Sequence, residues 1–211
     1  MTPQRHRARH RAEQEKPRPD WWVASISVAG LAVAGYLGIV KLAAGNALWC
    51  EAGGGCEIVQ SSRYALFLGL PTALWGAGLY AAVAGLSLSG LTAQRWLAAF
   101  LLAVMGSSFS LYLTYLELAV IRALCGYCLA STAIAVLLLG VLWQKRGVTP
   151  GRSARVSPGR VLALGILAAL GTVVIGAGVF AVESPREATA YQEALARHLS
   201  ASGAVMYGAY W

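Results

Sequence analysis

Five stretches of this chain, at about residues 22–40, 72–88, 96–120, 125–143 and 161–182, are apolar over roughly the length a helix needs to cross a bilayer. Inside hydrocarbon every backbone N–H and C=O must be satisfied within its own segment, so such stretches fold as helices. The first four contain no charge except Glu117, near the end of the third. The pattern predicts an all-α membrane protein, a four-helix transmembrane bundle followed by a fifth transmembrane helix. Of the 211 residues, 12% are charged and 57% hydrophobic. That is about half the charge of an ordinary soluble domain, and too apolar for a disordered chain. The first stretch exceeds the apolar core of a secretory signal, about 7–15 residues. It also spaces Gly30, Ala34 and Gly38 four apart, which lets helices approach closely, so it reads as a retained span.

A net charge of +8 would suit a nucleic-acid partner, but its placement argues otherwise. With five alternating spans, 12 of the 17 basic residues fall on one side, before the first span, at Arg95 and between the fourth and fifth. Three of the nine acids share that side, leaving it at +9 and the other side at −1. Basic excess marks the cytoplasmic face, so the amino terminus is expected inside and the carboxyl terminus outside. The charge is a topology signal and no nucleic acid is expected as a partner; membrane lipid is.

This topology puts all four cysteines on the outer face, which in a bacterium is the oxidising periplasm. Cys125-Gly126-Tyr127-Cys128 is a C-x-x-C at the head of the fourth span. If it opens a helix, unpaired N–H groups and the positive dipole end favour a thiolate there. Cys50 and Cys56 enclose Glu51, Ala52 and three consecutive glycines, a short loop in which a disulfide restrains the unfolded chain little. Thiol–disulfide exchange, two structural disulfides in a membrane scaffold, and a Cys₄ metal site all fit this spacing. The metal reading has little histidine support, since His6 and His10 fall on the opposite side and His198 lies in the tail.

The order of motifs is more specific than any one of them. The spaced pair is followed by Ile58-Val59-Gln60-Ser61-Ser62-Arg63-Tyr64, then by Phe67-Leu68-Gly69-Leu70-Pro71 at the second span, then by the C-x-x-C at the fourth. Over residues 21–143 this resembles a bacterial homologue of vitamin K epoxide reductase, and the fifth span resembles the fused cyanobacterial type. The bacterial disulfide-bond protein B family is similar in chemistry but has the two motifs in the reverse order. The resemblance implies a quinone-dependent oxidoreductase that makes disulfides. Electrons would run from a thioredoxin-like periplasmic protein or fused domain to Cys50/Cys56, to Cys125/Cys128, and on to a quinone of the ubiquinone, menaquinone, phylloquinone or plastoquinone type. Cys128 would face the quinone, Cys56 would exchange with Cys125, and Cys50 would meet the partner. No metal is implied. Ser62 matches a family serine six residues after the second loop cysteine and is expected near the active pair. Thr132 stands where the mammalian branch has a quinone-contacting tyrosine. The implied location is a bacterial inner or thylakoid membrane, with the redox site at the periplasmic or lumenal face.

Other residues carry narrower expectations. Ser107, Ser110, Thr114 and Glu117 recur on one helical face; the hydroxyls suit bonds across the bundle, and Arg122 is the expected partner of Glu117. A short interfacial helix is expected over 61–68, carrying Tyr64 and Phe67. Residues 1–20 read as a basic cytoplasmic segment and 144–160 as a cytoplasmic linker. Residues 189–199 look like an amphipathic helix and 204–211 like a strand ending in Trp211. Together, 183–211 resemble the opening of a thioredoxin-like domain, cut before its own C-x-x-C.

Overall fold

In the computed structural model, residues 19–43, 48, 50, 54–147, 158–182 and 190–202 are described. Seven α-helices are found among them: α1 Trp21–Leu42, α2 Gly55–Ser61, α3 Thr72–Leu88, α4 Ala93–Leu116, α5 Gly126–Gln144, α6 Pro158–Val182 and α7 Ala190–Ala201. The five expected spans correspond to α1, α3, α4, α5 and α6. Among the described residues four helices are long and apolar enough to cross a membrane, so this is an all-α, multi-pass membrane protein. α3 has 17 residues, at the short end of the crossing range.

Two ends of the bundle can be told apart by their polar groups. At one end Asp20 caps α1, accepting the Val23 N–H, and its carboxylate pairs with Lys145 after α5 at 2.6 Å. The Asp20 N–H donates to the Ser87 carbonyl near the close of α3, at 3.1 Å. Thr92 caps the start of α4 at this same end, through the Arg95 N–H. The cysteines gather at the other end. The first four long helices therefore run alternately up and down between the two ends.

Small residues set the closest helix approach. α1 packs most extensively on α3. A Cβ on Gly30 would lie 2.5 Å from the Tyr80 ring, and one on Gly38 would lie 2.5 Å from the Leu74 side chain. The four-residue spacing thus marks the face that meets α3. Bonds across helices add to this packing: Tyr80 Oη donates to the Ser131 carbonyl at 2.8 Å, Trp96 Nε1 to Leu142 O at 2.9 Å, and Ser107 Oγ to Ala135 O at 3.0 Å. Each contributes on the order of 1 kcal/mol in a membrane bundle. α6 lies against α4, where Phe180 joins Tyr64, Phe67, Phe109 and Tyr112 in an aromatic cluster.

Two local expectations are corrected. The short helix starts earlier than 61–68: it is α2, and it ends at Ser61. A 3₁₀ turn, Arg63–Ala65, follows, then a two-stranded hairpin of β1 Leu66–Phe67 and β2 Leu70–Pro71. The hairpin turns through Leu68 and Gly69 with φ of 53° and 76°, which a helix does not permit. Glu117 and Arg122 form no ion pair. α4 ends in a π-turn, Glu117–Ile121, and Arg122 follows in the left-handed region at φ 57°, with its side chain exposed. The tail helix expected over 189–199 is found as α7; the strand over 204–211, residues 1–18 and most of the linker lie outside the described residues.

Candidate active site

Cys125 is the N-cap of α5, one residue ahead of the crossing segment. Its sulfur accepts the Cys128 N–H at 3.3 Å, where a capping oxygen would ordinarily sit, and the Cys128 thiol donates to the same sulfur at 2.7 Å. The Cys125 side chain is fully buried and Cys128 partly so. The thiol donated by Cys128 is the main cause holding Cys125 below the ordinary thiol range, with burial opposing it. A C-x-x-C at a helix head therefore favours the thiolate form at Cys125, with Cys128 as its hydrogen-bond donor.

Cys50 and Cys56 are joined in a disulfide, while Cys125 and Cys128 are free. Two of the four sulfurs are bonded to each other, so the four do not present a Cys₄ ligand set in this state. Cys56 is the second residue of α2, and its sulfur lies 3.8 Å from that of Cys125. All four sulfurs thus form a continuous series, from Cys50 through Cys56 and Cys125 to Cys128.

Four residues to which the sequence pattern assigned no such role, Gly55, Tyr36, Tyr127 and Lys41, hold this series together. A Cβ on Gly55 would come within 2.6 Å of the Leu124 carbonyl oxygen and 3.0 Å of its nitrogen. Only glycine lets the start of α2 rest on the backbone just before Cys125. In sequence Gly55 reads as one of three glycines loosening a loop; its packing role depends on a contact 69 positions away. The segment ahead of Cys50 is clamped by two tyrosines. Tyr36 Oη accepts the Leu48 N–H at 2.7 Å, and Tyr127 Oη donates to the Leu48 carbonyl at 2.7 Å. Tyr127 is an interior residue of the C-x-x-C, so the inner motif also holds Leu48, two positions before Cys50. Lys41 Nζ adds a bond to the Gln60 carbonyl in α2, at 2.6 Å.

Glu117 is 3% exposed. Its backbone carbonyl accepts from Arg122 and Ala123 as the π-turn closes, and its carboxyl accepts the Cys125 N–H at 3.4 Å. Glu117 and Cys128 border a common cavity. Of the remaining residues on that face, Thr114 shares a bond of 3.1 Å with Thr132 across α4 and α5.

Beside the inner pair lies a cavity of about 610 Å³. Cys128, Glu117, Ser131 and Thr132 line it, together with aromatic and aliphatic side chains including Tyr64, Phe67 and Phe109. Cys125 is not among the lining residues. Ser62 borders the cavity, but its hydroxyl donates to the Val59 carbonyl at 2.7 Å, closing α2, and not to a cysteine. The Thr132 hydroxyl lies 3.0 Å from the Cys128 carbonyl, within its own helix.

The model of the vitamin K epoxide reductase family matches residues 21–143, well over half of the chain. The chain belongs to this family. The matched stretch runs from the start of α1 almost to the end of α5, and it contains all four cysteines, Glu117 and most of the cavity wall. Family membership makes the chain a membrane thiol oxidoreductase of a quinone-associated type. α6 lies outside the match but supplies Thr172 and Ile175 to the cavity.

Proposed function

We propose that this protein oxidises the dithiol of a thioredoxin-like protein or domain and delivers the electrons to a quinone. The carrying observation is the sulfur series itself: a disulfide at Cys50–Cys56, a gap of 3.8 Å to Cys125, and 2.7 Å more to Cys128, which opens on a cavity. A partner thiolate attacks Cys50, Cys56 leaves, and the partner's second thiol displaces Cys50, so the partner gains a disulfide and the outer pair becomes a dithiol. Cys56 then attacks the Cys125 sulfur of an inner disulfide, with Cys128 leaving. Cys50 displaces Cys125 from Cys56, which restores the outer disulfide and leaves the inner pair reduced. One disulfide outside and two thiols inside is the arrangement found here.

The cavity fits a quinone ring in size and in chemistry. Its volume lies within the usual range for a small-molecule site, and its walls are predominantly apolar. A bound quinone supplies a sink for two electrons and two protons. Phe67, Phe109, Cys128, Ser62 and Thr132 all line the cavity, which supports Cys128 as the thiol that meets the ring and Ser62 and Thr132 as residues bordering it. The cysteine end faces away from the cytoplasm by the charge asymmetry, with α3 completing a five-span topology. Residues 21–143 form the catalytic unit, 1–20 and 144–160 cytoplasmic segments, and 161–182 the fifth span.

The test is a thiol count. The purified protein is reduced, freed of reductant and mixed with a short-chain ubiquinone. Loss of two thiols at the inner pair, dependent on quinone, is expected; no loss would contradict the reading.

A further inference from the structure

The Cys128 thiol donates to the Cys125 sulfur at 2.7 Å, the Glu117 carboxyl accepts the Cys125 N–H at 3.4 Å, and Glu117 and Cys128 line the same cavity. Once an inner disulfide forms, Cys125 is no longer a base, because both sulfurs are spent in the S–S bond. The proton of Cys128 then needs another acceptor, and Glu117 is the carboxyl in this cluster. Tyr64, Tyr80, Glu117 and Cys128 are the titratable residues lining the cavity among the described residues, and Glu117 is the only carboxyl of the four. The Tyr80 hydroxyl is held by the Ser131 carbonyl, and Arg63 donates to that of Tyr64. The titratable groups facing Glu117 are Cys125 and Cys128 themselves. A lone carboxyl is costly at this depth, and it is placed against the one thiol that opens on the cavity.

We infer that Glu117 is a catalytic acid–base, taking the proton of Cys128 as the inner disulfide closes and passing it to the electron acceptor in the cavity. The inference rests on the quinone reading above. The balance is simple. Closing Cys125–Cys128 breaks the remaining S–H bond and makes one S–S bond, and two electrons leave to the quinone. One proton travels from Cys128 through Glu117, which returns to its starting state. The second was released to water at this end when Cys125 ionised, and it returns from that water. The sum is dithiol plus quinone giving disulfide plus hydroquinone.

Glu117→Gln separates proton transfer from simple positioning, since the amide oxygen can still accept the Cys125 N–H. The expected result is a quinone-dependent thiol loss about 100-fold slower than wild type, in the range of a lost general acid–base. Closure of a Cys56–Cys125 crosslink, measured with Cys50 and Cys128 both replaced by serine so that Cys128 is not the leaving group, should be unchanged, and Glu117→Asp should recover part of the rate. A second readout needs no quinone: infrared difference spectra between the dithiol and disulfide states of the inner pair. The wild type should show a carboxyl C=O band that changes with redox state and is absent from Glu117→Gln. A Gln variant at full rate beside an active wild type overturns the inference, and so does a Gln variant that is slow only because its Cys56–Cys125 exchange is slow. If the Gln variant does not fold, the wild-type spectrum decides, and a carboxyl band that ignores redox state overturns the inference. A wild type inactive with quinone that nevertheless shows the redox-linked band would sink the quinone reading alone.

Discussion

The two cysteine pairs are built in opposite ways. Cys125 and Cys128 are fixed by a helix start, in which one sulfur serves as the cap and the other donates to it. Cys50 and Cys56 straddle a boundary: Cys56 rides on α2, while Cys50 belongs to a segment held by two tyrosine hydroxyls from other helices. The inner pair owes its position to local backbone geometry, and the outer pair to contacts from afar. A relay needs this contrast. The sulfur that meets a cavity must be fixed, and the sulfur that meets a protein must be reachable.

Removing an inner sulfur tests the contrast most severely. Cys128→Ser should lower quinone reduction by about 10³-fold or more, because no disulfide can close at the cavity. Cys50→Ser should spare quinone reduction driven by a small dithiol and block oxidation of a protein partner. Steady-state rates with each electron donor check both; a Cys50→Ser protein that oxidises its partner at full rate would reverse the assigned order.

Gly55→Ala probes the junction between the pairs. The added Cβ meets the Leu124 backbone, which cannot rotate away, so α2 must shift. Exchange between Cys56 and Cys125 should slow roughly ten- to hundred-fold, as expected for reacting atoms displaced by up to about an ångström. Quinone reduction by an already reduced inner pair should be unaffected, and stopped-flow measurement of the two steps distinguishes them.

A smaller effect concerns acidity. A lowered pKa keeps a group ionised further into acid, so the Cys125 thiolate should persist below the ordinary thiol range of about 8.5. Ultraviolet thiolate absorbance against pH, with the outer disulfide intact, should show this. Cys128→Ala removes the main donor and should move the transition upward.

The far end should matter least. Lys145→Ala breaks the ion pair with Asp20, which is largely but not fully shielded, and should cost about 0–1 kcal/mol of stability. Neither exchange nor quinone reduction should change; thermal unfolding and the same rate assays measure both.

Much of this arrangement is legible from local pattern. The apolar lengths locate α1, α3, α4, α5 and α6 to within a few residues, and α3 on the residues expected, because a bilayer allows few alternatives. The C-x-x-C at the head of α5 follows equally from local rules. Contacts between distant segments were harder to read. Glu117 was recognised as an anomaly, but its expected partner, Arg122, was chosen for nearness along the chain, five positions on and close to the turn. The π-turn and the left-handed Arg122 instead bring the Cys125 N–H to the carboxyl. Gly55 was read as a source of looseness, since its neighbour Leu124 meets it only after folding. The helix expected over 61–68 gave way to the hairpin because Leu68 and Gly69 both turn through positive φ.

The central claim is that electrons cross between Cys56 and Cys125, and the double variant Cys50→Ser with Cys128→Ser tests it most directly. It leaves only these two sulfurs, 3.8 Å apart in the folded protein. Mild oxidation followed by peptide mass spectrometry should recover a Cys56–Cys125 crosslink in high yield. Two thiols that stay alkylatable under conditions that close Cys50–Cys56 in the wild type would contradict the relay.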